Sequence, residues 1–141
     1  MQLDKFSDYA LRVLMVLSVR RPEMVSVRQI AQIFDISENH VAKIATTLVQ
    51  QGWVTSKRGR AGGLSLAMEP EDIFVGGVLR KIKKDTPVAE CFGDNKSCQI
   101  LPACGLRNPL LEAQEAFLAT LDAYSIADLT RQKTKLMQLI A

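Results

Sequence analysis

Three cysteines, Cys91, Cys98 and Cys104, lie within AECFGDNKSCQILPACGL, and the chain has no others. Six residues separate the first pair and five the second. Thiolates in such a cluster can ligate a metal, act as a redox switch or cross-link. An odd number leaves one thiol over in any disulfide scheme. The spacing is wider than the CxxC pairs of zinc knuckles and ribbons, and it lacks the tight run of bacterial ferredoxins. On spacing alone, zinc, an iron–sulfur cluster and a thiol switch all stay open. Two features favour a bulky group. Gly93, Pro102 and Gly105 can bend a long loop, and wide spacing lets thiolates reach different corners of a cluster. Cys104 is expected at the start of a helix, where the dipole and free N–H groups stabilise anionic thiolates.

Three thiolates leave a four-cornered site one ligand short. The single histidine, His40, falls on a helix face better suited to DNA contact. Asp94 lies inside the loop, where its short reach crowds the same side. Asp8 is remote in sequence, with a route to the site from a partner subunit.

The elements that must position these groups fit a chain of 141 residues with 48% hydrophobic content. That is one domain, or one small domain with an extension, and its core is sizeable. The longest apolar stretch, Val13 to Val19, is too short to cross a bilayer. The start, MQLDKFSDYALR, has acids at Asp4 and Asp8 and no signal-peptide layout. A cytoplasmic protein is expected, with reduced thiols that favour metal or redox chemistry over structural disulfides. The net charge is +3, and residues 71–141 are balanced at nine basic and nine acidic side chains. The whole excess therefore lies in the first 70 residues. No acid stands between Glu38 and Glu69, while Lys43, Lys57, Arg58 and Arg60 do. An acid-free basic segment suits a polyanion such as DNA.

Phe6, Tyr9, Ala10, Val13, Leu14 and Leu17 recur at helical spacing. Ser7 is placed to cap this helix, with Asp8 in its first turn, and Arg20, Arg21 and Pro22 end it. In SVRQIAQIF, Ser26 and Gln29 form a capping-box pattern, and the helix stops near Asp35. Ser37 caps a third helix, ENHVAKIATTLVQQ. One side carries Val41, Ile44, Ala45, Leu48 and Val49, the other Asn39, His40, Lys43, Thr47 and Gln50. Gly52 is placed to close it. Two short helices joined by a tight turn predict a helix-turn-helix whose second member reads DNA. WVTSKRGRAGGLSLAM then reads as strand, basic turn and strand, a wing tipped with Lys57, Arg58 and Arg60. A nucleotide phosphate loop is excluded: there is no GxxxxGK[ST] and no βα unit around these glycines. No nucleophile–base motif accompanies the lone histidine, which argues against an enzyme.

A helix carrying Val78, Leu79 and Ile82 precedes the cysteine loop. After the loop, Leu106, Leu110, Ala113, Phe117, Leu121 and Tyr124 form one continuous helical stripe. A small domain has little core left to cover it, so a second subunit is expected to, making a homodimer, the alternative being that the helix packs back on its own winged domain. Ser125 caps a last short helix. The fold class is mainly α: a winged helix-turn-helix over residues 1–84, a cysteine loop over 85–105, and a dimerisation helix with a C-terminal helix over 106–141.

LDKFSDYALRVL, ISENHVAKIATTLVQQGWV, KRGRAGGLSLA and the three-cysteine loop together resemble the IscR/NsrR family of bacterial winged-helix regulators, over essentially the whole chain. The resemblance implies a homodimer that binds operator DNA and holds an iron–sulfur cluster through Cys91, Cys98 and Cys104. IscR-like members use a histidine three residues after the third cysteine, and here that residue is Arg107. NsrR-like members use an aspartate of the first helix, given across the dimer, and Asp8 matches it. SENHVAKI and LDAYSIADL also resemble the NsrR-like members. The first cysteine spacing is about one residue longer than theirs. The implied cofactor is a 4Fe–4S cluster rather than 2Fe–2S. The implied function is a repressor released from a palindromic operator when nitric oxide reacts with the cluster. Asn39, His40, Lys43 and Thr47 would read bases or phosphates, and Lys57, Arg58 and Arg60 the backbone or minor groove. The alternatives are a sensor of iron–sulfur supply or redox state, and a zinc-stabilised DNA-binding protein.

Overall fold

The computed structural model describes residues 3–83, 87–94 and 96–141. The boundary expected between residues 84 and 85 lies outside them. Seven helices and one hairpin follow in order: α1 (Lys5–Arg20), α2 (Val27–Phe34), α3 (Glu38–Gln50), β1 (Val54–Lys57), β2 (Gly63–Leu66), α4 (Val75–Ile82), α5 (Arg107–Asp122), α6 (Ile126–Leu129) and α7 (Lys133–Leu139). Short 3-10 turns stand at Pro70–Asp72, Glu90–Phe92 and Leu101–Ala103. None of the described helices is long and apolar enough to cross a membrane.

The apolar stripe of α1 runs through the middle of the core. Ala10, Val13, Leu14 and Leu17 are buried against Ile30 of α2, Val41, Ile44 and Leu48 of α3, Leu64 of the wing and Val78 and Leu79 of α4. The cap of α1 differs from the expectation. Asp4, not Ser7, is the N-cap: its Oδ1 accepts the Ser7 N–H at 2.9 Å and its Oδ2 the Ser7 hydroxyl at 2.9 Å. Ser7 is fully buried and spends its hydroxyl on that bond. Lys83, just past α4, adds an ion pair to Asp4 Oδ2 at 3.0 Å. Burial works against the Asp4 charge. The Ser7 N–H, the Lys83 ammonium and the Ser7 hydroxyl outweigh it and hold the pKa below the ordinary carboxylate value. A carboxyl with a lowered folded pKa stabilises the fold above its ordinary pKa and loses that contribution as pH falls through the folded one. Asp4→Ala is therefore expected to cost about 1 kcal/mol at pH 7, with the gap to wild type closing in acid, as pH falls through the lowered folded pKa. Urea unfolding at pH 7 and along a descending pH series measures both.

The capping signals of α2 and α3 are borne out. Ser26 and Gln29 complete a reciprocal capping box, and Ser37 caps α3 through the His40 N–H. Asp35, at φ 51°, ends α2 in the left-handed region that an aspartate tolerates. Gly52 takes φ 82°, its N–H bonds Val49 O, and the Trp53 N–H reaches back to Leu48 O. This is a Schellman closure, which strongly favours glycine at that φ. β1 and β2 pair antiparallel, and Val25 makes a single bridge to the hairpin by bonding Leu64 in both directions at 2.8 and 2.9 Å.

The C-terminal half departs further from expectation. α5 stops at Asp122, so Tyr124 lies beyond it and is exposed, and the stripe is not continuous. No residue of α5 is buried. Phe117, Leu118 and Leu121 are partly covered by packing against the core, while Leu106 and Leu111 stand in the open. The seat on α4 is close because Gly76 has no side chain, and Arg80 forks onto Glu115 (2.7 and 2.8 Å) and Asp122 (2.8 Å). Ser125 caps α6 as expected, with Asp128 returning the bond. α7, not anticipated, packs back on α1 near Ile140, whose carbonyl accepts a bond from Arg20 at 2.8 Å.

Candidate nucleic-acid interface and cysteine loop

α3 turns its apolar side into the core and leaves Glu38, Asn39, Ala42, Lys43, Thr46 and Gln50 exposed. Asn39 and Lys43 are thus free to reach a groove. Thr47 is half-buried and donates its hydroxyl to Lys43 O at 3.3 Å. His40 lies in the first turn of α3 rather than mid-way along it. Its ring meets Tyr9 edge-on at 5.6 Å and stands 6.4 Å from Phe6. His40 therefore docks the reading helix on α1 with one face and is half-exposed on the other.

The wing is built for tight approach of its own backbone. Gly59 at φ 105° makes its bend, and a Cβ on Gly62 would fall 2.1 Å from Lys57 O. This brings exposed Lys57, Arg58 and Arg60 to one tip. Among the described residues none of these three, nor Lys43, enters an ion pair. Unpaired cations on a projecting tip suit a phosphate backbone. Arg28, exposed and unpaired in the first turn of α2, was missed in the sequence. The first helix of this motif crosses the DNA backbone, which is the signal that could have found it.

Asp8 sits on α1 one turn before Arg12, which grips both its oxygens at 2.9 Å. The Arg12 guanidinium lies 5.4 Å over the Tyr9 ring. Asp8, Arg12, Tyr9 and His40 thus form an unbroken chain of contacts from a surface carboxylate to the first turn of α3. Its first link, an acid four residues before an arginine, was legible in the sequence. The Tyr9–His40 meeting was not. Beside Asp8 an apolar cavity of about 410 Å³ runs along α1, lined by residues such as Leu11, Met15, Phe34 and Leu136.

All three cysteines are free thiols, Cys98 exposed and Cys91 and Cys104 half-exposed. Cys91 is in the 3-10 turn Glu90–Phe92. Cys104 ends the turn Leu101–Ala103, three residues ahead of α5 rather than at its first residue. A cavity of about 520 Å³ opens beside Cys104, lined by Gln99, Ile100 and Pro102 through Leu106. Among the described residues no three His, Cys, Asp or Glu side chains are gathered so as to hold a metal ion. The donor chemistry suits iron, since soft, accessible thiols are its cluster ligands. One chain alone leaves that donor set open and short of a fourth member.

A family model described as Rrf2, iron-dependent transcriptional regulator, matches residues 3–132. The chain is 46% identical over 142 residues to the HTH-type transcriptional regulator NsrR of Bacillus subtilis (strain 168), covering 99% of this chain and 97% of that one. It is 41% identical to the NsrR of Geobacillus kaustophilus, with the same coverage. Among solved structures, CymR, the global cysteine regulator of B. subtilis, superposes with a TM-score of 0.72 at 23% identity, covering 94% of this chain and 98% of that one. T. potens IscR does so with 0.72 at 22% identity, covering 94% and 88%. Those two likenesses show the shared winged-helix fold. The match along nearly the whole chain and relatives at this identity place the chain in the Rrf2 family of DNA-binding transcriptional regulators, which are not enzymes.

Proposed function

We propose that this chain is a cytoplasmic, homodimeric repressor that senses nitric oxide through a 4Fe–4S cluster. Cys91, Cys98 and Cys104 of one protomer would hold the group, with Asp8 of the partner subunit as fourth ligand. Bound there, the group supplies iron that is reactive toward small ligands, most openly at the corner with the weak oxygen donor. The observation that carries the reading is the placement of Asp8 on α1 next to Tyr9, which meets His40 of the reading helix. Asp8 released from a ligand position is free to settle on Arg12, and Arg12 bears on Tyr9, which in turn meets His40. A change at the loop of one subunit then alters how α3 of the other is seated, a coupling between two sites through an identifiable path. The open faces of Leu106, just before α5, and Leu111 on it support the dimer.

On DNA, the two α3 helices would enter successive major grooves of a near-palindromic operator. Asn39, His40, Lys43 and Thr47 supply the contacts there, with Lys57, Arg58 and Arg60 on the backbone or in the minor groove. Neutralising all three wing cations to alanine is expected to weaken binding about equally on all sequences. It should also lower the slope of log affinity against log salt by about 2–3. Titration of duplexes at several salt concentrations reads both, and an unchanged slope would remove the wing from the DNA.

The function is tested by purifying the protein without oxygen, recording its absorption spectrum and analysing iron and sulfide. An operator selected from random duplexes is then titrated with nitric oxide in a gel shift. A colourless, zinc-loaded protein overturns the cluster, and operator binding that persists as the group nitrosylates overturns the switch.

A further inference from the structure

Arg107 opens α5 under conditions that no helix favours. It is the first helical residue, where the dipole disfavours a cation. Leu106 before it gives no side-chain cap, and the first turn holds no acid. Among the described residues Arg107 has no ion-pair partner. Among the described residues its guanidinium stacks on Phe92, with the ring centre 5.1 Å from the guanidinium carbon. Phe92 directly follows Cys91, and Arg107 comes three residues after Cys104. The stack therefore joins the two ends of the cysteine loop. It also places a positive charge at the start of α5, on a ring next in the chain to Cys91 and three residues after Cys104.

We propose that Arg107, stacked on Phe92, is a positioning residue for the cluster. It clasps the loop before the group arrives and sets a cation against its anionic ligand shell. This rests on the reading that the three cysteines hold an iron–sulfur group. Closing a loop costs chain entropy, and the clasp removes part of that cost in advance. The charge favours whichever state of the bound group carries more negative charge.

Both halves have separate readouts. In apoprotein, hydrogen exchange at the Phe92, Gly93, Leu101 and Ala103 amides, all bonded in the two turns, reads the clasp. Arg107→Gln and Phe92→Leu are each expected to speed it about two- to fivefold, the range an exposed cation–π contact supports. Combined, the two changes should not add, because they break one contact. In reconstituted protein, the reduction midpoint should fall in Arg107→Gln, recover in Arg107→Lys and stay close to wild type in Phe92→Leu. A wild-type protein that takes up neither iron nor sulfide overturns the cluster reading beneath the proposal. A wild-type protein that loads normally, with Arg107→Gln unchanged in both exchange and midpoint, overturns the proposal alone.

Discussion

Gly76→Ala is expected to destabilise the protein by about 2–3 kcal/mol, while Gly77→Ala, one residue on, should stabilise it by about 0.5 kcal/mol. The first Cβ would stand 2.1 Å from Asp122 Oδ1, 2.6 Å from Leu118 O and 2.7 Å from Asp122 N. Asp122 could turn its carboxylate away only by leaving Arg80. The carbonyl and amide belong to the α5 backbone and cannot yield unless the helix moves. Overpacking of this kind costs about 1–3 kcal/mol, and more where backbone must shift. Alanine's better helix propensity returns at most about 1 kcal/mol, so the clash wins. At Gly77 nothing lies within 4 Å of the added carbon, and propensity acts alone. Thermal unfolding at fixed protein concentration should show a drop of roughly 6–10 °C for Gly76→Ala and a small rise for Gly77→Ala. Equal melting of the two variants would mean that α5 does not sit against α4 through this glycine.

Cys98→Ser is expected to abolish iron and sulfide uptake while leaving the apoprotein's stability within about 0.5 kcal/mol of wild type. Cys98 is exposed and unbonded to another cysteine, so its sulfur contributes little to the fold. A serine hydroxyl is a poor substitute for a soft thiolate on iron. The variant should bind operator as wild-type apoprotein does, and nitric oxide should leave that binding unchanged. Asp8→Ala should be milder. On the proposed ligand set it would remove one hard oxygen donor and retain three thiolates, so the group should load but be lost faster on dilution. It also frees Arg12, so operator affinity should shift even in apoprotein. Full iron content in Cys98→Ser would refute its ligand role. Unaltered loss rates in Asp8→Ala would point to another fourth ligand.

The local signals that proved accurate concern hydrogen-bonded ends of elements. Ser26 with Gln29, Ser37, Gly52 and Ser125 with Asp128 were readable because a cap involves residues at most five apart. The cap of α1 was misplaced by three residues, since Asp4 and Ser7 both fit the pattern. What separates them is the burial of Ser7 under the fold and the arrival of Lys83 from 79 positions away. The apolar stripe of α1 was legible from its period. Its meeting with His40 was not, because periodicity names a face and never its partner.

The α5 stripe shows the same limit. Its spacing runs past the true helix end, because apolar recurrence continues through Ala123 and Tyr124 while the backbone turns to bond Ile73 and Val75. The sequence by itself determined the element order as far as α6, the basic segment without acids and the close spacing of three thiols, all matters of residue type and short-range spacing. Tertiary structure alone decided that Tyr9, next to Asp8 on α1, meets His40 of the reading helix. It alone brought Phe92 under Arg107 across the cysteine loop. Such contacts depend on where packing closes the chain on itself, and no local propensity encodes that distance.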